Sequence, residues 1–268
     1  MIRALYTAST GMQAQQLNID VIADNLANVN TTGFKNARTD FQDLLYANLR
    51  SPGAENSSAG TLVPVGTQLG HGVKVASVSK DFTQGSPVAT SEDPMNVDMM
   101  VQGQGFFQIE LPSGETAYTR DGSFKILDGN IVTSDGYPLI GGQIGFDPTT
   151  TLGISVESSG AIGLEDTSTT GFTSGVGQLQ LARFVNPEGL NAIGNNLYKE
   201  TESSGTPQLG NPEEDGYGSV NQHYLEQSNV SMVSEMVNMI TTQRAYEVGA
   251  KAIQTADSML GEVTGLKR

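Results

Sequence analysis

Hydrophobic residues recur with two different periods along this chain, helical at both ends and strand-like in the middle. Near the N-terminus Leu5, Met12, Ile19 and Leu26 follow one another every seven residues, with Ala8, Gln15, Ile22 and Val29 three positions after each. Seven-residue spacing lines side chains along one face of a helix, so the pattern predicts a helix with a sustained packing seam. It stops at Asn28-Val29-Asn30-Thr31-Thr32-Gly33, residues that form turns and tolerate left-handed backbone. At the other end Ser231 can cap a second helix. Its seam runs through Met232, Met236, Met239, Gln243, Tyr246, Ala250, Ile253, Asp257 and Leu260 in alternating steps of four and three. Val233, Val237 and Ile240 widen the first half of this stripe beyond what one partner helix covers, which implies several neighbours. Gly249 costs about 1 kcal/mol relative to alanine in mid-helix and is best explained by a close-approaching neighbour.

From about Val73 to about Leu197 the pattern changes to short alternating or apolar runs between turn residues. Val73–Val78, Phe106–Leu111 and Gln178–Phe184 read as strands, and Asp128-Gly129 between two apolar runs is a two-residue hairpin signal. No amphipathic helix separates these runs, which favours an antiparallel arrangement over βαβ units. Residues 51–68 and 201–219 lack periodicity and read as loops. The expected fold is α+β, with a discontinuous helical coiled-coil domain formed by both termini plus a mainly antiparallel β body. Residues 1–35 with 228–268 form the terminal domain, 36–72 with 205–227 connect, and 73–204 make an outer β domain. The two seams most simply pair with each other, either as a finished hairpin on the body or as ends that order when other copies supply more surface.

Charge sharpens this division. The chain of 268 residues has 14 basic and 29 acidic side chains, a net charge of −15. Both ends balance to zero and residues 51–227 carry the whole excess, so neutral ends are free to pack beneath a solvated acidic middle. Such a balance argues against nucleic-acid or anionic-membrane partners, which are held by Lys and Arg. No run approaches the length of a membrane span, and no cleavable leader is visible.

Candidate chemistry is sparse. There is no cysteine, which excludes disulfides, thiolate metal sites and a cysteine nucleophile. His71 and His223 have no second histidine at ligand spacing. Gly103-Gln104-Gly105 is followed by a strand rather than a phosphate-binding helix, and Asp166, Ser168, Thr170 and Gly171 echo a calcium loop whose last position is Gly177 where a glutamate is needed. Catalytic, cofactor and metal residues are therefore assigned to none.

The terminal motifs carry a resemblance. Asp24-Asn25-Leu26-Ala27-Asn28-Val29-Asn30-Thr31-Thr32-Gly33-Phe34-Lys35 resembles the N-terminal signature of the bacterial flagellar axial proteins, the rod, hook and hook-associated subunits. Ser228-Asn229-Val230, Glu235–Ile240, Gln243–Glu247 and Asp257–Leu260 resemble the partner signature at the far end. Gly103–Phe107 and Ala117–Phe124 are similar to the body of the same family. Tyr46–Ala54 leading to Leu62-Val63-Pro64 looks like the segment that sets the distal-rod branch apart from the bendable hook. A proximal rod or hook subunit remains the alternative, and a hydrolase or lectin-like β protein with helical arms a more distant one.

The resemblance implies a polymer without turnover. Terminal helices would form the inner wall of a hollow drive shaft, with the β domain outward. Subunits would reach a periplasmic basal body through the flagellar export apparatus without a cleaved signal peptide. Neighbours would be further copies, proximal rod and hook subunits, and rod-surrounding ring proteins, with no nucleic acid and no membrane insertion. Subunit contacts are expected at Leu5, Met12, Ile19, Ile22, Leu26, Met232, Met236, Met239, Ile253 and Leu260. Asn25, Asn28, Gly33, Phe34 and Lys35 would form the bend out of the first helix, and Gln243, Arg244 and Tyr246 would touch adjacent subunits.

Overall fold

A computed structural model describes residues 2–53, 64–145, 151–166 and 172–265. Ala54, Leu62 and Val63 of the distal-rod-like segment, and Ser168, Thr170 and Gly171 of the calcium-loop echo, lie outside the described residues. The chain forms two compact units, one of residues 1–27, 37–80 and 231–268 and the other of 28–36 and 81–230.

The first unit holds both long helices, α1 (Ile2–Ala27) and α2 (Met232–Gly265), packed together. Ser231 stands immediately before α2, and its carbonyl accepts the Glu235 N–H at 2.9 Å, the first bond of the helical ladder. Between the helices in sequence come β1 (Ala37–Asp43), β2 (Tyr46–Arg50), β3 (Thr67–Gly70) and β4 (Val73–Lys80). β1 pairs antiparallel with β4 through a bulge at Asp40/Phe41, and β2 pairs with β3. The region expected to connect is therefore strand-forming, and Val73–Lys80 joins the helical unit instead of opening the body. Cross-strand partners such as Thr39 and Val78 are distant in sequence, which is why a local pattern did not group them.

The second unit is antiparallel throughout its described pairings. Its largest sheet has seven strands in the order Asn191–Gly194, Leu197–Lys199, Thr116–Thr119, Phe107–Glu110, Pro138–Gln143, Asn130–Val132 and Lys125–Leu127. A three-stranded sheet joins Thr151–Val156, Ala161–Asp166 and Phe172–Gln178. Asp128 (φ 49°) and Gly129 (φ 83°) make the expected two-residue hairpin, their positive φ pair matching the right-handed strand twist. The Gln178–Phe184 run is not one strand. It breaks at Leu179, whose N–H goes to Gly160, and Leu181–Arg183 pairs with Gln208–Gly210 instead. Residues 205–227 likewise belong to this unit, where Val220 and Glu226 are each 1% exposed.

Adjacent residues Phe106 and Phe107 face opposite ways, as strand geometry requires, and so serve two cores. Phe107 packs with Met99, Ile109, Ile131, Ile154, Ile162 and Leu181, while Phe106 joins Tyr118, Phe184 and Tyr198 in an aromatic cluster with edge-to-face contacts. Burial pushes the phenols of Tyr118 and Tyr198 up to about 12, because the charged form would lose its hydration. A raised folded pKa means stability that is complete below the unfolded value of about 10 and lost as pH climbs through 12. Tyr118 and Tyr198 are expected to ionise only near pH 12 in an ultraviolet titration, with the β unit losing stability from pH 10 to 12. Phe substitution of both should remove that slope; an unchanged slope would reject the assignment.

Candidate assembly interface

The α1–α2 seam is built from small and half-buried side chains. Ala14 and Ile22 of α1, and Thr242 and Ala256 of α2, are each no more than 6% exposed. Asn18 Nδ2 donates to Thr242 Oγ1 at 3.1 Å. A Cβ on Gly249 would stand 2.8 Å from Met12 Cγ, so the close neighbour expected of this glycine is Met12. Met239, Ile253 and Leu260 are half-buried, and with Thr242, Gly249 and Ala256 they follow steps of three, seven, four, three and four along one face of the helix. The flank differs from the expected one: Met236 is 50% exposed, and Gln243 and Asp257 are exposed. Small residues let the helices approach closely and so win the buried line over larger apolar ones.

On α1, Leu5, Met12, Ile19 and Leu26 are half-buried, and Ile22 and Asn25 are buried. Asn25 fixes the start of β1 by a reciprocal pair: its Nδ2 donates to the Ala37 carbonyl and its Oδ1 accepts the Ala37 N–H, both at 2.8 Å. Met232 (48%), Met236 (50%) and Tyr246 (39%) keep much of their surface open, as do Gln243 and Arg244, which leaves all five free to meet another molecule.

Gly33, Phe34 and Lys35, expected in the bend that leads out of the first helix, follow it directly, and all three are buried within the β unit. Asn28 begins their turn by accepting the Thr31 N–H on its carbonyl and the Thr31 hydroxyl on Oδ1. Gly33 adopts φ +66° and donates to the Glu226 carbonyl at 2.8 Å; a Cβ there would lie 2.5 Å from the Asp121 nitrogen. Gly33→Ala is expected to cost the β unit about 1–3 kcal/mol from backbone strain, with the clash in addition. Thermal unfolding of the variant checks this, and an unchanged midpoint would reject it.

Lys35 is fully buried. Its Nζ donates to Glu226 Oε1 at 2.6 Å and to the Thr83 carbonyl at 2.7 Å. The same Oε1 accepts the Gly85 N–H at 2.8 Å, and Glu226 Oε2 lies 3.6 Å from Arg120 Nη1. Arg120 donates to the carbonyls of Val101 and Gly103 and lies over the Phe106 ring. Burial lowers the pKa of both cations, opposed in each by the Glu226 charge. Asn229 extends the cluster, accepting the Asn36 N–H on Oδ1 at 2.8 Å and donating to the Asp81 carbonyl. Glu226 and the role of Arg120 escaped the sequence reading, since nothing near Tyr224-Leu225-Glu226 marks the carboxylate as buried.

Among the described residues no group of three metal-ligating side chains comes together, and no helix is long and apolar enough to cross a membrane. His71 and His223 each set Nδ1 against a backbone carbonyl, of Leu45 and Ser91.

The candidate interface thus consists of a pair of terminal helices with an open apolar face, beside a β unit fastened by residues of both terminal segments. Residues 5–35 match the model described as Flagella basal body rod protein, 100–164 the Flagellar hook protein FlgE/F/G D1 domain, and 221–266 the Flagellar basal body rod FlgEFG protein C-terminal. The flagellar basal-body rod protein FlgG of Borreliella burgdorferi is 46% identical over the whole of both chains. That of Caulobacter vibrioides is 48% identical over 99% of this chain and all of its own, and that of Bacillus subtilis 37% identical over the whole of both. A solved Helicobacter pylori hook protein, FlgE2, is 16% identical over 72% of this chain and 43% of its own, with a TM-score of 0.24 that carries no argument. The chain belongs to the flagellar basal-body rod protein family.

Proposed function

We propose that this chain is a structural subunit of the flagellar distal rod, polymerising into a rigid hollow shaft that passes motor torque to the hook and forms part of the export channel. The observation that carries the reading is the open apolar face of α2, where Met232, Val233, Met236, Val237 and Ile240 are 48–74% exposed on a helix already paired with α1. Residues of this kind are stabilised by burial at about 25 cal/mol per Å², and further copies supply the surface. Terminal helices then form the assembly domain, with Leu5, Met12, Ile19 and Leu26 in the wall and Gln243, Arg244 and Tyr246 toward neighbours. The subunit works by binding, without turnover. It reaches the periplasmic basal body through the flagellar export apparatus and there meets proximal rod and hook subunits and the surrounding rings.

Deleting this gene in its host and restoring it on a plasmid tests the reading. The deletion is expected to abolish motility and to leave basal bodies that stop short of the distal rod, and the plasmid to restore both. Normal basal bodies in the deletion strain would overturn it; absence of the proximal rod as well would move the chain to the proximal-rod role, and a complete rod without a hook to the hook role.

A further inference from the structure

Among the apolar surfaces that the described residues of the helical unit leave uncovered, two are complementary in shape. One is the ridge on the opening turns of α2, from Met232 to Ile240. The other is an open groove of about 1090 Å³, lined largely by small side chains: Ala4, Ala8 and Gly11 from α1 with Ala245, Gly249 and Ala252 from α2. At 100° per residue the ridge and the α2 side of the groove point about 150° apart around the helix, and their centres lie about 20 Å apart along it. One α2 therefore cannot place its own ridge in its own groove.

We propose that the ridge of one copy seats in the groove of a second copy, large side chains entering a cleft lined by small ones. Both surfaces are nearly free of charge, so each can be covered by the other without desolvating an ion: Glu235 stands on the side of α2 away from the ridge, and among the described residues that line the groove Arg3 alone is charged. The contact is heterologous, using different patches on the two copies, so it need not close and can repeat along a filament. It also gives the polymer a direction, since one end exposes only ridges and the other only grooves. The proposal rests on the reading that copies of this chain polymerise, and adds which surfaces meet.

A photo-reactive phenylalanine analogue placed at position 252 of the full chain, expressed in the deletion strain, is expected on irradiation to capture residues 232–240 of a second copy. Capture of another segment of this chain, of a different axial protein, or of nothing in motile cells would overturn the proposal while leaving the rod reading intact. Failure of the unaltered chain to restore motility would instead count against the rod reading. The cysteine-free sequence permits a second test with purified chains. Val237→Cys and Ala252→Cys, mixed with a short bis-maleimide, are expected to give a dimer at least tenfold faster than either variant alone. Equal rates, or fast dimerisation of Val237→Cys by itself, would overturn the arrangement, the latter by showing ridge against ridge.

Discussion

Replacing Glu226 by glutamine is expected to destabilise the β unit by about 3–5 kcal/mol, the cost of removing one partner from a buried ion pair. The carboxylate faces two cations, Lys35 at 2.6 Å and Arg120 at 3.6 Å, in a site where Lys35 is fully buried and Glu226 only 1% exposed. Without it Lys35 retains the Thr83 carbonyl and the more distant charge of Asp81, and Arg120 the carbonyls of Val101 and Gly103, but neither has a carboxylate in ion-pair contact. Lys35→Met in the glutamine background should recover a large part of the loss, because the uncompensated ammonium disappears with it. Urea unfolding of the single and double variants measures both quantities. Additive effects of the two substitutions, or a loss below 1 kcal/mol for the first, would show that the cluster is not coupled as its distances imply.

Ile22→Asp is expected to have the second large effect, confined to the other unit. Asn18, Ile22 and Asn25 share one face of α1, and on either side of Ile22 that face is bonded to α2 through Thr242 and to β1 through Ala37. Ile22 is 4% exposed, so a carboxylate there is desolvated without a partner and should cost more than about 3 kcal/mol, at the upper end of single substitutions. The helical unit is expected to become protease-sensitive and the variant to be missing from purified basal bodies, while residues 28–36 and 81–230 persist together as a resistant core. Normal incorporation would reject Ile22 as a keystone of assembly. Loss of the β fragment as well would show that the two units do not fold independently.

What could be read from the chain was whatever repeats locally. The heptads of α1 gave its extent, and Asp128-Gly129 gave a hairpin, because helix faces and two-residue turns are set by neighbours in sequence. On α2, Met236 and Gln243 fit the expected four-three spacing yet are exposed, whereas Thr242 is buried and Gly249 meets Met12, because closeness of approach to Met12 and Asn18 decided the buried line. Gly33, Phe34 and Lys35 belong to a recognisable motif, yet their place inside the β unit depends on a glutamate 191 positions away from Lys35. A pairing of that kind leaves no mark on either local segment. The exposed side of α2 was legible in its excess width, with Val233, Val237 and Ile240 beside the seam, since surplus apolar surface shows in composition before any contact is known.

The Lys35–Glu226 clasp also dictates an order of events. Gly33, Lys35 and Asn36 are tied to Glu226 and Asn229, so the β unit is fastened by the two segments that enclose nearly all of it. A chain that passes end first through a narrow conduit, N-terminus leading, carries its lysine without the carboxylate until all but the last 42 residues have emerged. Contacts that span most of a sequence close late, because the intervening loop must be paid for in entropy first. In a subunit exported as proposed above, the unit would therefore stay pliable for as long as threading lasts and harden when the passage is almost clear. The same bond that stiffens the finished subunit is one that an incompletely delivered chain has no means of making.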